Sequence, residues 1–213
     1  MHFRPPRETT VFVNRKLREI NFKVVYFGPP LSGKTTNLEY IHAHTAPHLR
    51  GELVSLKTQE DRTLFFDYLQ IELGPIRGLR PKFNLYTVPG QVIYRSSREL
   101  VMRGADGVVL VLDSQRNRFQ ENLAALEDLR ASLRKMGQDV DRFPTVFQFN
   151  KRDLPTALPL PILKAHLTYG QWPCFEAVAI KGIGVLETLK AIIQAIAHRY
   201  SAEASPRQAS YPC

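Results

Sequence analysis

The sequence contains little cysteine: Cys174 and Cys213 are the two in a chain of 213 residues. Two cysteines do not make a disulfide framework, and such usage is typical of proteins in a reducing cytoplasm. No apolar run approaches the ~18 residues that a membrane-spanning helix needs. Residues 1–20 include several arginines but no apolar core segment, so they do not fit the pattern of a secretory signal. We therefore expect a cytoplasmic protein without a transmembrane segment.

Long runs of like charge are also missing, although the chain has 29 basic and 20 acidic residues and a formal net charge of +9. No run of five like charges occurs, and basic residues are not interleaved with aromatic ones as in an RNA-binding sheet. The positive excess is compatible with anionic partners, but a scattered, solvated surface is the favoured explanation. We expect no nucleic-acid partner.

Strand patterns and helix patterns alternate along most of the chain. Strands are predicted at residues 22–27, 64–73, 82–88, 108–112, 145–149 and 175–179, and helices at 34–44, 115–136, 161–169 and 185–200. A turn with proline and glycine at 75–78 joins two of the strands into an antiparallel hairpin. The alternation predicts an α/β fold with a mostly parallel central sheet, one antiparallel hairpin strand and helices on both faces.

The two ends of the chain have the composition of appendages. Residues 1–17 are basic with little to bury, and residues 201–213 are rich in serine, alanine and proline. We predict an N-terminal extension over 1–17, one folded domain over 18–200 and a mobile tail over 201–213.

The segment GPPLSGKT at residues 28–35 matches the phosphate-binding pattern GxxxxGK[ST] between a predicted strand and a predicted helix. Backbone N–H groups at a helix start can cradle phosphates. Lys34 would contact the β- and γ-phosphates, and the Thr35 hydroxyl would bind Mg²⁺. The predicted nucleotide-binding residues of this loop are Gly28, Leu31, Ser32, Gly33, Lys34, Thr35 and Thr36.

A second motif, Asn150-Lys151-Arg152-Asp153, directly follows the predicted strand 145–149. Ligands of open α/β sheets bind beyond the carboxyl ends of such strands. Guanine presents two adjacent donors, N1–H and N2–H, that the Asp153 carboxylate can accept together, whereas adenine offers no such pair. The aliphatic part of Lys151 can lie over the base. The tetrapeptide alone could be a charged turn, but its place after the phosphate loop predicts guanine binding, with Asn150, Lys151 and Asp153 as contacts.

These motifs, in this order, resemble those of Ras-like small GTPases, which implies a Ras-like P-loop NTPase fold. A closer resemblance, to the MglA family of bacterial gliding and polarity GTPases, is carried by residues 28–41, 60–67, 86–91, 108–114 and 150–155. It extends over about residues 18–200. It includes Thr87, at a position where most Ras-like proteins have aspartate.

The MglA resemblance implies the roles of the reacting groups. Thr63 would sense the γ-phosphate and Mg²⁺, and Gly90 would donate its N–H to the γ-phosphate. Gln91 would orient the attacking water, and Arg62 would be an arginine finger supplied by the chain itself. With Lys34, Gln91 and Arg62 form the predicted catalytic set, which fits phosphoryl transfer because this chemistry needs positioning and charge neutralisation.

The resemblance also implies contacts beyond this catalytic set. The backbone N–H of Ala179 would reach guanine O6, with Val178 beside it. Thr35 and Thr63 would bind Mg²⁺, and Thr87 would support them without contacting the ion itself. The implied cofactors are GTP or GDP and Mg²⁺. The implied partner is a roadblock-fold activator of the MglB type, with recruitment to a cell pole; downstream effectors are not indicated.

One departure from the family pattern, Pro30, and one feature shared with the MglA family, Thr87, concern hydrolysis. Pro30 stands where relatives usually have glycine, and its ring would crowd the space of Gln91. Thr87 is a weaker Mg²⁺ anchor than a carboxylate. We therefore expect slow GTP hydrolysis, with a GTP-binding scaffold of negligible turnover as the alternative. A P-loop metabolite kinase is disfavoured by the guanine motif and the lack of a lid-like insertion.

Overall fold

Eight strands form a single sheet in the computed structural model, which describes residues 12–14, 17–57, 63–75, 78–88, 95–168 and 172–204. The strands are β1 Phe12–Asn14, β2 Glu19–Phe27, β3 Val54–Lys57, β4 Thr63–Glu72, β5 Arg80–Thr87, β6 Gly107–Asp113, β7 Thr145–Asn150 and β8 Cys174–Glu176. The helices are α1 Lys34–His44, α2 Arg95–Met102, α3 Phe119–Lys135, α4 Leu160–Leu167 and α5 Val185–Ala204.

The strand order is β3-β4-β5-β2-β6-β7-β8. Strands β5, β2, β6, β7 and β8 run parallel, and β4 pairs antiparallel with β5 as the hairpin predicts. The predicted α/β fold and mostly parallel sheet are therefore confirmed. Two further antiparallel strands extend the prediction: β3 pairs with β4 at the edge, and β1 pairs with the first half of β2.

Helices cover both faces of the central strands. Every residue of β6 and of β7 is buried, as expected of parallel strands covered on both sides. Alternate residues of β2 enter different cores: Val24 and Tyr26 pack in the core that includes α1 and α5, and Val25 and Phe27 in the core that includes α3 and α4. Since β2 lies between β5 and β6, its carboxyl end opens into a crevice where the connections leave toward opposite sides.

Several predicted boundaries change in the structure. The predicted helix 115–136 starts as a 3₁₀ turn, Arg116–Arg118, before α3 begins at Phe119. The predicted strand 175–179 is wrong at its end, because the chain leaves the sheet after Glu176 and forms the 3₁₀ turn Ala179–Lys181. Helix α5 continues beyond the predicted end at residue 200 to Ala204, and β1 lies within the predicted extension 1–17. The domain boundaries themselves stay predictions.

The sequence patterns do not predict β1, β3 or α2. The two strands have three and four residues, which is too short for an alternation to be recognised. Helix α2 has eight residues with the apolar ones, Leu100, Val101 and Met102, together at its end, so it is too short for an apolar stripe to repeat over several turns. None of the helices in the described ranges is long and apolar enough to cross a membrane.

Candidate nucleotide site

The loop between β2 and α1 has a backbone that its sequence pattern requires. Gly28 and Gly33 have φ angles of 145° and 101°. A Cβ atom on Gly28 would lie 2.1 Å from the Val111 carbonyl oxygen, and one on Gly33 would lie 2.2 Å from the Asn150 side-chain nitrogen. Both positions therefore need glycine, because the loop lies directly against the ends of β6 and β7. The result is a cradle of backbone at the N-terminus of α1, a geometry that is able to bind phosphates.

Lys34 lies buried at the start of α1, with 7% of its surface exposed. Its Nζ donates to the carbonyl oxygens of Gly28 at 3.0 Å and Pro29 at 2.7 Å. Burial, together with the positive charges of Arg98 and Arg118, lowers the pKa of Lys34 to about 7, while Asp67 opposes the shift. An anion beside this amine would favour its charged form, which suits a phosphate contact.

A carboxylate that sequence reasoning missed lies beside the predicted metal ligand Thr35. The Thr35 hydroxyl donates to Asp67 Oδ2 at 2.6 Å, and the Thr87 hydroxyl donates to the same oxygen at 2.8 Å. The Asp67 N–H donates back to Thr87 Oγ1 at 2.8 Å, and Ser55 donates to Asp67 Oδ1. Asp67 and Thr87 are fully buried. Hydroxyl and carboxylate oxygens are ligands that Mg²⁺ prefers, so this group of side chains fits the predicted ion.

The signal for Asp67 was present in the sequence. Asp67 is an acidic residue that directly follows the apolar run Leu64-Phe65-Phe66 in the middle of the strand, where burial of a carboxylate needs a compensating function or partner. β4 faces β5 in antiparallel register, with Tyr68 opposite Tyr86. This pairing puts Asp67 beside Thr87, the position where the sequence analysis found a hydroxyl in place of the usual aspartate.

The guanine motif and the phosphate loop meet through Asn150. Its Nδ2 donates to the Ser32 carbonyl oxygen at 2.8 Å, and its Oδ1 accepts from the Ala179 N–H at 2.9 Å. The Ala179 N–H, which the resemblance assigned to guanine O6, is thus engaged with Asn150 in this structure. The Val178 N–H donates to the Ile183 carbonyl oxygen at 3.0 Å. A single amide therefore links the phosphate loop to the loop after β8.

Two charged contacts support the rest of the motif. Lys151 has a positive φ of 62°, and its Nζ donates to the buried Asp113 Oδ2 at 2.6 Å, which fixes the aliphatic stem. The solvent-accessible Asp153 pairs with Lys181 at 3.3 Å. Arg118, which the sequence analysis did not single out, donates to the Pro30 carbonyl oxygen at 2.7 Å and holds the third position of the phosphate loop.

Some predicted residues cannot be placed against this geometry. Arg62, Gly90 and Gln91 lie outside the described residues. Thr63 begins β4, but only its backbone is described. Their roles stay predictions that rest on the family resemblance.

Comparison with known proteins decides the family. The model of the ADP-ribosylation factor family (Arf) matches residues 9–196. The mutual gliding-motility protein MglA of Myxococcus xanthus (strain DK1622) is 50% identical over 185 residues, which cover 87% of this chain and 95% of that protein. The chain belongs to the ADP-ribosylation factor family and is an MglA-type small GTPase. Its membership confirms the resemblance inferred from the motifs and identifies the chain as a GTP-binding switch protein.

The architecture of this MglA-type GTPase agrees with that membership. The glycine-dependent phosphate loop after β2 and the Asn150 motif after β7 converge at one edge of the sheet, as in a Ras-like fold. The individual site residues stay predictions, and the contacts above supply the geometry for testing them.

Proposed function

We propose that this MglA-type GTPase is a Mg²⁺-dependent switch that binds GTP and GDP and slowly hydrolyses GTP to GDP. The observation that carries the proposal is the double contact of Asn150 with Ser32 and Ala179, which supports one continuous site from phosphates to base. The purified protein should bind fluorescent GDP, and GTP should compete for the site far better than ATP. Equal competition by ATP would contradict guanine selectivity.

The three side chains around the predicted Mg²⁺ position come from α1, β4 and β5, and each would have a distinct role. Thr35 from α1 would ligate Mg²⁺, and Asp67 from β4 would supply the negative charge that Thr87 lacks. When bound, Mg²⁺ would neutralise the charge of the phosphate oxygens. Asp67 would hold the Thr35 hydroxyl in place and receive its hydrogen bond, while Thr87 would orient the carboxylate.

This role for Asp67 predicts a metal-dependent defect. Asp67→Asn should raise the Mg²⁺ concentration needed to slow GTP release by about 10–100-fold, the usual effect of losing a group that supports a metal ligand. The measurement is a Mg²⁺ titration of the dissociation rate of fluorescent GTP. Glu72→Gln, at the other end of the same strand, is the matched control and should behave as wild type.

Relocation of the carboxylate sharpens this test. In the double variant Asp67→Asn with Thr87→Asp, the negative charge returns on β5, and much of the Mg²⁺ response should return with it. If Asp67→Asn responds to Mg²⁺ as wild type does, Asp67 has no part in the metal site.

The depressed pKa of Lys34 predicts that nucleotide binding depends on pH. Above about pH 7 the free protein holds Lys34 largely neutral, so binding of phosphates must take up a proton. GDP affinity should therefore fall as pH rises above about 7, by at most about tenfold per pH unit. Calorimetric titration in two buffers of different ionisation enthalpy would measure this proton uptake.

A matched lysine separates this effect from other titrations. Lys164 on α4 is exposed, and Lys164→Met should keep the full pH dependence. Lys34→Met should bind GDP very weakly at every pH, because the phosphates lose their cation. An affinity that is constant between about pH 7 and about pH 8.5 in the wild type would contradict the shifted pKa.

We further propose the cellular setting that the relative suggests. The Myxococcus relative is named as a gliding-motility protein. By analogy, this chain would act in cell polarity or motility, in the cytoplasm with recruitment to a pole, and with a roadblock-fold activator of the MglB type. The alternative, a GTP-binding scaffold with negligible hydrolysis, is favoured by Pro30 and Thr87 and is decided by measuring turnover.

A further inference from the structure

Asn37 of α1 and Gln148 of β7 form a reciprocal amide pair inside the protein. Asn37 Nδ2 donates to Gln148 Oε1 at 2.9 Å, and Gln148 Nε2 donates to Asn37 Oδ1 at 2.9 Å. Both residues are fully buried. Burial of amides costs free energy unless their groups are paired, and well-packed apolar side chains would stabilise the same place at least as well. What the amides add is a fixed relative position of the two elements.

The hydrogen bonds continue from this pair in both directions. Asn37 Nδ2 also donates to the Gly33 carbonyl oxygen at 2.8 Å. Gln148 Nε2 also donates to Thr188 Oγ1 at 3.1 Å, and the Thr188 hydroxyl donates to the Gly184 carbonyl oxygen at 2.6 Å. We call this chain, Gly33-Asn37-Gln148-Thr188-Gly184, the inner tie. It runs from the phosphate loop to the first turn of α5.

The inner tie runs beside the contacts of Asn150. Gln148 and Asn150 are two residues apart on β7, so their side chains leave the same face of the strand. Asn150 reaches the phosphate loop directly, at the Ser32 carbonyl oxygen. Gln148 reaches it through Asn37, which donates to the Gly33 carbonyl oxygen. Each also reaches the segment 179–184, which follows β8.

We propose that Asn37, Gln148 and Thr188 are positioning residues for the bound nucleotide. This inference rests on the proposed guanine-nucleotide function. A nucleotide held at its phosphates and at its base is sensitive to the separation of the two loops, because displacement of a fraction of an ångström weakens contacts at one end. The inner tie fixes that separation together with Asn150, and loss of the tie loosens the position of one loop relative to the other.

The decisive variant is the double substitution Asn37→Leu with Gln148→Met. It removes both amides and leaves their neighbours bonded, since the Gly33 carbonyl still accepts from the backbone N–H of residue 37 and Thr188 still donates to Gly184. Replacement of both partners by apolar groups is often nearly neutral for stability. We expect the dissociation rate of fluorescent GDP to rise about tenfold, the scale of a lost hydrogen-bond link.

Two further variants control the comparison. The exchange Asn37→Gln with Gln148→Asn keeps an amide pair at the site and should return the GDP release rate to within about threefold of wild type. The half-buried amide pair of Gln70 and Asn84, bonded at 3.0 Å on β4 and β5, lies outside the tie. Gln70→Met with Asn84→Leu should release GDP at the wild-type rate.

One measurement separates positioning from a merely structural role. The unfolding temperature without nucleotide should change little in the double variant. If that variant does not fold, Thr188→Val decides, with GDP release about two- to threefold faster, the effect of one weak hydrogen bond lost.

The outcomes are distinct from those of the proposed function. Failure of the wild type to bind GDP would overturn the proposed function itself. Wild-type binding with an unchanged release rate in the double variant, or in Thr188→Val when the double variant is unfolded, would overturn the inner tie alone. A faster release that is matched by the Gln70 and Asn84 control would also overturn it.

Discussion

Asp153→Asn should convert a guanine site into one that prefers xanthine. The substitution replaces a double acceptor with a group that offers one acceptor and one donor, so one guanine donor faces an amide N–H. GDP affinity should fall by about 10³-fold or more, because sites that hydrogen-bond a substrate reject mismatched analogues by about 10⁴–10⁵. Xanthosine diphosphate should gain affinity over the same range. Competition binding with GDP and xanthosine diphosphate measures this change in preference.

The structure provides the controls for the Asp153→Asn variant. The ion pair of Asp153 with Lys181 is at the surface, so its loss should leave the unfolding temperature almost unchanged. Asp141→Asn is the matched variant, since Asp141 is exposed and precedes the amino end of β7, opposite to the end that carries the motif. If Asp153→Asn keeps the wild-type preference for GDP over xanthosine diphosphate, the base assignment is wrong.

Arg62→Ala should reduce GTP hydrolysis by about 10³–10⁵-fold in the presence of an activator, the value of an arginine finger in this chemistry. Its charge would neutralise the oxygens of the transferring phosphoryl group. Gln91→Ala should also be slower, because the attacking water loses its orienting group. Pro30→Gly should be unchanged or faster if the proline ring crowds Gln91. Single-turnover phosphate release, with and without an MglB-type roadblock protein, measures these rates.

Nucleotide affinity serves as the internal standard for the hydrolysis variants. Each should bind GTP nearly as tightly as wild type, so that a change in rate reports the reaction and not occupancy. Arg134→Ala, an exposed arginine on α3, is the matched control and should turn over GTP normally. A Gln91→Ala variant that hydrolyses GTP at the wild-type rate would contradict this mechanism and favour the alternative of a GTP-binding scaffold.

The motifs themselves were predictable because their chemistry is local. The phosphate loop needs glycines at two fixed positions and a helix start directly after them, and α1 begins at Lys34 as predicted. The guanine motif needs only to follow a strand, and β7 ends at Asn150. The short elements β1, β3 and α2 were missed because three to eight residues carry too little periodic signal.

The sequence by itself therefore determined the family and the fold class, and it predicted the two ends of the nucleotide site. Only the tertiary structure decided how those ends are supported. Asp67 reaches Thr35 across 32 residues of sequence, and Asn37 reaches Gln148 across 111. Such contacts depend on the register of β4 against β5 and on the packing of α1 against β7. A one-residue slip in that register would turn Asp67 to the opposite face of the sheet, and no local pattern specifies the register.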